Sequence, residues 1–304
     1  MDALKAAVRE YASRHADADG LARTPVPGLR MMCVETPHRV LHSTYKPLVC
    51  LVLQGAKQMT VGTHQQTFHQ GQSVIVSADM PVAGRIVQAS RTEPYLAVAV
   101  ELDMSVLREI AIHLGSAPAR PPRKSRVLFV DETHQAMRDC ALRLMRLLDR
   151  PEAIPLLHPG IVRELHYWLL SGPHASALSA LTLPESSASR LAAAIAILRK
   201  EYRSRIPVER LAAAAAMSLT AFHKHFKRMT SLTPGQFQKR LRLVEARHLI
   251  VNEGVTASRA ALDVGYESIS QFTREYGRMF GASPGRDGRR TLTAVKQARA
   301  ASVL

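Results

Sequence analysis

Residues 218–235 recur fifty positions later as residues 268–285. Set side by side, SLTAFHKHFKRMTSLTPG and SISQFTREYGRMFGASPG agree at Ser218/Ser268, Phe222/Phe272, Arg228/Arg278, Met229/Met279, Pro234/Pro284 and Gly235/Gly285. Phe226/Tyr276 and Lys224/Arg274 are conservative pairs. A repeat this short cannot enclose a core by itself, so both copies must belong to a larger unit. Each serine stands where a helix N-cap is needed. Phe222, Phe226 and Met229 fall at i, i+4 and i+7, as do Phe272, Tyr276 and Met279, which makes one inward helical face per copy. Proline beyond each face stops it. Ahead of the copies lie LAAAAAM and AALDVGY, each a short helix with an apolar anchor. Two helices joined by a tight turn, the second exposing polar side chains, make a helix-turn-helix, and this chain carries two.

Charge says what such units would meet. Residues 1–188 hold 20 Lys+Arg and 17 Asp+Glu, whereas residues 189–304 hold 21 and 8. The formal excess of +16 is therefore concentrated behind residue 188, the distribution expected of a polyanion-binding domain attached to a nearly neutral one. Membranes are a poorer match, because no basic amphipathic anchor with Trp or Phe accompanies the charge and no run of eighteen apolar residues occurs. The first twenty residues lack the apolar stretch of a signal peptide. Three scattered cysteines, Cys33, Cys50 and Cys140, make no disulfide framework, so a cytoplasmic location is expected.

Texture divides the 304 residues into an α+β arrangement. A helix over Ala3–Arg14 is followed, from Tyr45 to Asp103, by short β-branched runs punctuated by Gly and Pro, the pattern of a compact barrel or sandwich. Asp103 reads as the N-cap of a helix carrying Val106, Leu107, Ile110 and Leu114; 117–126 reads as a basic loop, and Asp131–Arg150 and Pro159–Leu170 as amphipathic helices. The small, polar stretch 171–189 reads as a linker. Beyond it everything is helical in period, with a long helix over Pro234–Asn252 that should hold the repeats at a fixed separation. The expected domains are thus 1–170, a barrel with flanking helices; 190–290, all-α with two helix-turn-helix motifs; and 291–304, a basic tail.

In a helix-turn-helix the second helix enters the major groove with its N-terminal residues at the base edges. The side chains left outward are Leu219, Thr220, His223, Lys224 and Lys227 in one copy and Ile269, Ser270, Thr273 and Arg274 in the other. Lys224 and Arg274 can donate to guanine O6 and N7, and Thr220, Ser270 and Thr273 can donate, accept, or press a methyl on thymine. His223 can donate to a base or a phosphate. Ser218, Ser268, Lys227, Arg228, Arg240, Arg242 and Arg278 suit phosphates, which fix register without specifying sequence.

These segments also carry a family resemblance. MSLTAFHKHFK, KRLRLVEARHLI and VGYESISQFTREYGRMFGASP resemble the DNA-binding domain of AraC/XylS transcription regulators. YKPLVCLVLQGAKQMTVG, GQSVIVSADMPVAGRIVQAS and EPYLAVAVELD resemble the cupin-like N-terminal domain of one AraC branch. The resemblance implies a sequence-specific, effector-controlled regulator, expected to be an activator. Its two helices would read successive major-groove segments about 34 Å apart, with Thr220, His223, Lys224, Ile269, Ser270, Thr273 and Arg274 at bases. It implies double-stranded DNA, a small-molecule effector and RNA polymerase as partners, no membrane and no cofactor, with dimerisation through Asp131–Leu170. Two positions depart from the family pattern. Ser231 replaces the usual glycine and costs the first helix its preferred cap residue; Ala260 replaces a large aliphatic, so the second motif is expected to pack more loosely.

Inside the barrel, Tyr45, Cys50, Met59, Phe68 and Tyr95 are candidate effector contacts, each also readable as plain core. Cupin-like folds raise the alternative of a metal enzyme. His38, His42, His64 and His69 lie near the barrel, but no H-x-H with a spaced Glu and no acidic third ligand accompanies them, so neither a metal nor catalysis is expected. The cysteines read as buried, inert thiols rather than redox or electrophile sensors. A nucleoid-structuring protein remains a rival, distinguished by binding that ignores base sequence.

Overall fold

The computed structural model describes residues 2–37, 40–61, 64–77, 79–115, 128–182 and 186–288. Helix α1 (Asp2–His15) leads into strands β1 (Leu21–Arg23), β2 (Leu29–Val34), β3 (Leu41–Tyr45), β4 (Leu48–Gln54), β5 (Ala56–Val61), β6 (His64–His69), β7 (Gln72–Val76), β8 (Met80–Gln88) and β9 (Tyr95–Glu101). Helix α2 (Met104–His113), strand β10 (Leu128–Glu132), helix α3 (Gln135–Arg146) and helix α4 (Ile154–Leu170) follow. The strands form two antiparallel sheets, in the orders β1-β2-β9-β4-β7-β10 and β3-β8-β5-β6.

The apolar run LVCLVL becomes intelligible here, because β4 is covered on both faces. Val49, Leu51 and Leu53 pack under the helices with Leu96, Val98 and Val100 of β9, while Leu48 and Val52 face the other sheet with Tyr95 and Ala97. Period-two alternation thus sends one set to the helix layer and the other to the space between the sheets. That space also holds Met59, Phe68, Val82 and Ile86 from the smaller sheet. Asp103 caps α2 as expected, its carboxylate accepting from the backbone N–H of Ser105 and Val106.

Three boundaries differ from the sequence expectation. Asp131 and Glu132 end strand β10 rather than starting a helix, because the β-branched and aromatic run before them pairs antiparallel with β7. Helix α4 begins at Ile154, so Pro159 lies inside it; Pro155 occupies its first turn, where proline lacks only an orphan donor. The expected linker 171–189 contains helix α5 (Ala175–Thr182), which packs Leu178 into the helix layer, and helix α6 (Ser187–Lys200) starts within the same stretch. The loop 117–126 and the tail 291–304 lie outside the described residues.

The remaining helices are α7 (Val208–Ala214), α8 (Leu219–Thr230), α9 (Pro234–Asn252), α10 (Ala257–Asp263) and α11 (Ile269–Phe280). The repeat is α8 and α11. Ser218 accepts from the N–H of Ala221 and Ser268 from that of Gln271, so both serines are N-caps. Pro234 is the first residue of α9, behind a Thr233/Gln236 capping box, so the residue that ends one copy also starts the scaffold helix. Phe222 and Phe226 are fully buried against α6 and α9, and Phe272 and Tyr276 against α9 and α10. Ala260 is buried too, but the expected looseness is offset by aromatics: Tyr266, Phe272, Tyr276 and Phe280 form a chain of rings with centroids 4.5–5.5 Å apart.

Helices α8 and α11 both end in a left-handed residue. Gly281 serves α11 at φ 70°, whereas α8 forces Ser231 to φ 60°. Gly265, in the turn before α11, has φ +86° and no room for a side chain, since a Cβ there would lie 1.9 Å from the Arg203 carbonyl oxygen. Ser231→Gly should therefore stabilise the chain by about 1 kcal/mol, and Gly281→Ala should destabilise it by a similar amount. Gly265→Ala should cost more than either. Urea unfolding of the three variants checks the order, and a neutral or harmful Ser231→Gly would contradict it.

Candidate nucleic-acid interface and ligand cavity

The residues expected at base edges share one condition. Thr220, His223, Lys224, Ile269, Ser270, Thr273 and Arg274 are all exposed on α8 and α11. Their neighbours on the inner face are the fully buried aromatics, so packing fixes which way each helix turns. Leu219 and Ile269 occupy the same repeat position and are 42% and 43% exposed, an unusual placement for large aliphatics. A thymine methyl is the base-edge group that such side chains fit. The sequence places Leu219 outward but not among the base readers, and only its pairing with Ile269 marks it.

Of the expected phosphate contacts, Ser218, Lys227, Arg228, Ser268 and Arg278 lie on the outer side of these helices, with Arg228 donating to His225 Nδ1 at 2.8 Å. Arg242 is a correction. Its guanidinium bonds four backbone carbonyls: Tyr202 at 2.6 Å, Gly265 at 2.8 Å, Arg203 at 3.0 Å and Ser204 at 3.2 Å, and it lies over the Tyr266 ring. It joins the loop before the first helix-turn-helix to the turn of the second, leaving little donor capacity for a phosphate. Arg240 is half buried and close to His42 of β3, where burial lowers its own pKa. A second tie runs from Lys239 on α9 to Glu275 on α11 at 2.9 Å, and Glu275 also accepts from Tyr266 Oη at 2.8 Å.

Helix α9 faces the barrel as well. Strand β3 packs against α9, and β8 packs against α8. Arg247 of α9 pairs with Asp19, just ahead of β1, and with Asp287 at 3.2 Å, which in turn accepts from Tyr276 Oη at 2.9 Å. Arg199 of α6 pairs with Asp79 and donates to the Tyr45 carbonyl at 3.1 Å. His42 meets the edge of the Phe280 ring at 5.7 Å. Burial, reinforced by the Arg240 charge, lowers its pKa to about 4.

Between barrel and α9 lies a cavity of about 220 Å³. Of the expected effector contacts, Tyr45, Cys50 and Tyr95 line it, while Met59 and Phe68 are buried in the core between the sheets without lining it. Small side chains at Ala97 and Ala99 open the space, and Val244, Arg247, His248 and Asn252 of α9 close it. Lys57, absent from the expected contacts, also lines it. Its signal is the alternation along β5: Lys57 is two residues from Met59, so an inward Met59 implies an inward lysine.

No group of three or more His, Cys, Asp and Glu side chains able to hold a metal occurs among the described residues. His38 lies outside those residues. Burial pushes the thiols of Cys33 and Cys50 up in pKa and that of Cys140 to about 11, which disfavours the reactive thiolate. No described helix is long and apolar enough to cross a membrane.

A two-sheet domain enclosing a cavity, docked on paired helix-turn-helix units with exposed reading faces, is the build of a DNA-binding regulator with a sensory domain. Residues 25–177 match the family model described as the AraC-type transcriptional regulator N-terminus, and residues 211–290 match a helix-turn-helix domain model. The first match alone spans half of the chain, and the chain belongs to the AraC-type transcriptional regulators. The transcriptional activator RhaS of Escherichia coli O157:H7 is 33% identical over 109 residues, which is 34% of this chain and 39% of RhaS. The chain thus matches well under half the length of that curated relative. A ligand-free single-residue variant of ToxT from Vibrio cholerae superposes with a TM-score of 0.60 at 7% identity, covering 88% of this chain and 98% of ToxT. Wild-type ToxT with a bound unsaturated fatty acid gives 0.58 at 7%, covering 90% and 96%. At that identity the likeness shows the fold, which is α+β with the sheets first and the helix-turn-helix units last.

The His42 environment makes a pH prediction. Its folded pKa lies below the ordinary 6.5, so between pH 6.5 and 4 the unfolded chain binds more protons and stability falls as pH falls. The drop in melting temperature from pH 7 to pH 5 should be smaller in His42→Gln than in the wild type. Equal drops would place the acid sensitivity elsewhere.

Proposed function

We propose that this chain recognises a specific, asymmetric DNA sequence through α8 and α11 and that a small molecule in the barrel cavity controls it. One observation carries the DNA reading. Equivalent positions on two helices of the basic half are exposed while the aromatic faces behind them are buried, and the side chains at those positions differ between copies. Thr220 and His223 in one copy, against Ser270 and Thr273 in the other, would read different bases. The preferred site should therefore be non-palindromic within one protomer. Lys227, Arg228 and Arg278 supply phosphate contacts on this reading, which makes affinity fall steeply with salt.

The cavity supports effector control, because its wall is shared between the barrel and α9, the scaffold of both reading helices. A ligand there touches both halves at once. The ToxT structure with a bound unsaturated fatty acid is a precedent for a small ligand on this fold. Exposed apolar side chains on α2 and α4, namely Ile112, Leu156, Leu157 and Tyr167, support association of two copies through those helices. On this reading α4 of the expected segment Asp131–Leu170 takes part together with α2, which lies outside that segment, while α3 is covered by α1 and α4. Contact with RNA polymerase, activation of transcription and a cytoplasmic location complete the reading by analogy with the family. The domain division follows 1–170 and 190–290, with α5 and the start of α6 bridging them.

Selection of bound DNA from a random pool by the full chain tests the proposal. The expected outcome is one enriched asymmetric site; no enrichment over the starting pool would favour a nucleoid-structuring role instead. On the selected site, Arg274→Ala should cost roughly 1–3 kcal/mol and relax preference at one position, as loss of a bidentate base contact does. Lys227→Ala should weaken selected and random DNA alike and flatten the salt dependence. An altered base preference in Lys227→Ala would contradict its assignment.

A further inference from the structure

A second cavity, of about 320 Å³, lies on the helix side of the larger sheet and shares no wall residue with the one between barrel and α9. Its floor is the sheet edge formed by β7 and β10. There Phe129 pairs with Ile75 and Asp131 with Ser73, and period-two alternation points all four side chains toward the helices. Ile75 and Phe129 join the helix-layer core, whereas Asp131 sets a carboxylate on the same face. Asp131 accepts the N–H of Glu132 at 2.9 Å, and neither acid has an ion-pair partner among the described residues. Among those residues no lysine or arginine lines the cavity. The turn between α4 and α5 supplies His174, whose ring stands 4.9 Å from that of Phe129 and whose Nε2 is buried without a hydrogen-bond partner. Met137 of α3 and Trp168 and Leu169 of α4 form the apolar part of the wall, with His134 stacked on the indole at 5.9 Å.

We propose that this cavity binds an organic amine, with its protonated amino group on the Asp131 carboxylate and His174 Nε2 and its apolar or aromatic body against Met137, Trp168 and Leu169. The inference is independent of the effector reading above and adds a second ligand site. Three features select a cation. A carboxylate turned toward an apolar layer without a counter-ion gains most from a ligand that brings one. A neutral imidazole nitrogen without a donor can accept an ammonium N–H. An indole attracts positive charge over its face. An anion would meet two carboxylates and no basic side chain. A metal ion would lack ligands, since no group of three or more suitable side chains occurs among the described residues. A neutral apolar ligand would cover Asp131 and His174 and leave both unsatisfied. A cavity at the lower end of the usual ligand-pocket range suits a body of one or two rings.

Trp168 is the chain's single tryptophan, so its fluorescence reports on this wall directly. Titration of the full chain with phenethylamine, phenethyl alcohol and phenylacetate, followed by calorimetry and by Trp168 emission, tests the class. The amine should bind about tenfold or more tightly than the alcohol, the value of one charge-assisted contact, and should shift the Trp168 emission; phenylacetate should give neither signal. Asp131→Asn, close in shape but uncharged, should remove the preference for the amine over the alcohol. Ala99→Leu, on the wall of the other cavity, should leave amine binding and its Trp168 signal unchanged. Equal affinities for amine and alcohol in the wild type, amine binding without a Trp168 response, or no amine binding would each overturn the proposal. So would a preference retained in Asp131→Asn, or amine binding lost in a folded Ala99→Leu. The wild-type comparison and the Trp168 response keep the test decisive should either variant fail to fold.

Discussion

The spatial relation of the two reading helices depends on one arginine. Arg242 projects from α9 and spends its guanidinium on four carbonyls, three in the loop 202–204 before the first helix-turn-helix and one at Gly265 in the turn of the second. Those carbonyls sit in irregular backbone, where no ladder or helix satisfies them, and a planar fork with five donors is suited to collecting them. Gly265 is part of the same device. Its left-handed φ and lack of a side chain let the turn approach Arg203 closely enough for one side chain to bond both strands of loop. With Lys239 and Glu275 adding a second tie, α9 becomes a spacer of defined length rather than a tether.

The same helix is a wall of the barrel cavity, so on the proposed function sensing and reading would share a component. Arg247 lies five residues beyond Arg242 and bonds carboxylates from opposite ends of the chain, Asp19 before β1 and Asp287 after α11. At 8% exposure it is a nearly buried cation, and burying it is tolerable only because both partners are present. A ligand beside it would therefore act on a junction whose charges are already balanced. Differential affinity of that ligand for arrangements of the two halves is what any allosteric effect must draw on.

Much of this is legible in the residues. The fifty-residue repeat specifies two capped helices with aromatic inner faces because a 3.6 period and an N-cap serine leave few alternatives, and the outer residues follow by elimination. Asp103 and the Pro234–Asn252 helix are equally explicit. Other features are hidden for physical reasons. Arg242 in a basic helix reads as a phosphate ligand, since the carbonyls it serves are distant in sequence and carry no side-chain signal. Asp131 reads as a helix start because its strand exists only through pairing with β7. The 171–189 stretch reads as a linker by composition, yet Leu178 anchors a helix there through tertiary burial. Lys57 is masked by its charge, which does not suggest an enclosed position, although its alternation with Met59 gives its direction away.

If α9, Arg242 and Gly265 hold the readers rigidly, the DNA they bind must present its two elements at one spacing. The direct measurement is the affinity of the full chain for its selected site with about five or about ten base pairs inserted between the two contacted segments, roughly half and one helical turn. A rigid pair loses specific binding in both cases, because the shorter insertion rotates the second element away and the longer one restores the face but adds a full turn of length. The account predicts affinity at the random-DNA level for both insertions. Near-original affinity with the full-turn insertion would show the two units to be flexibly joined and would contradict it.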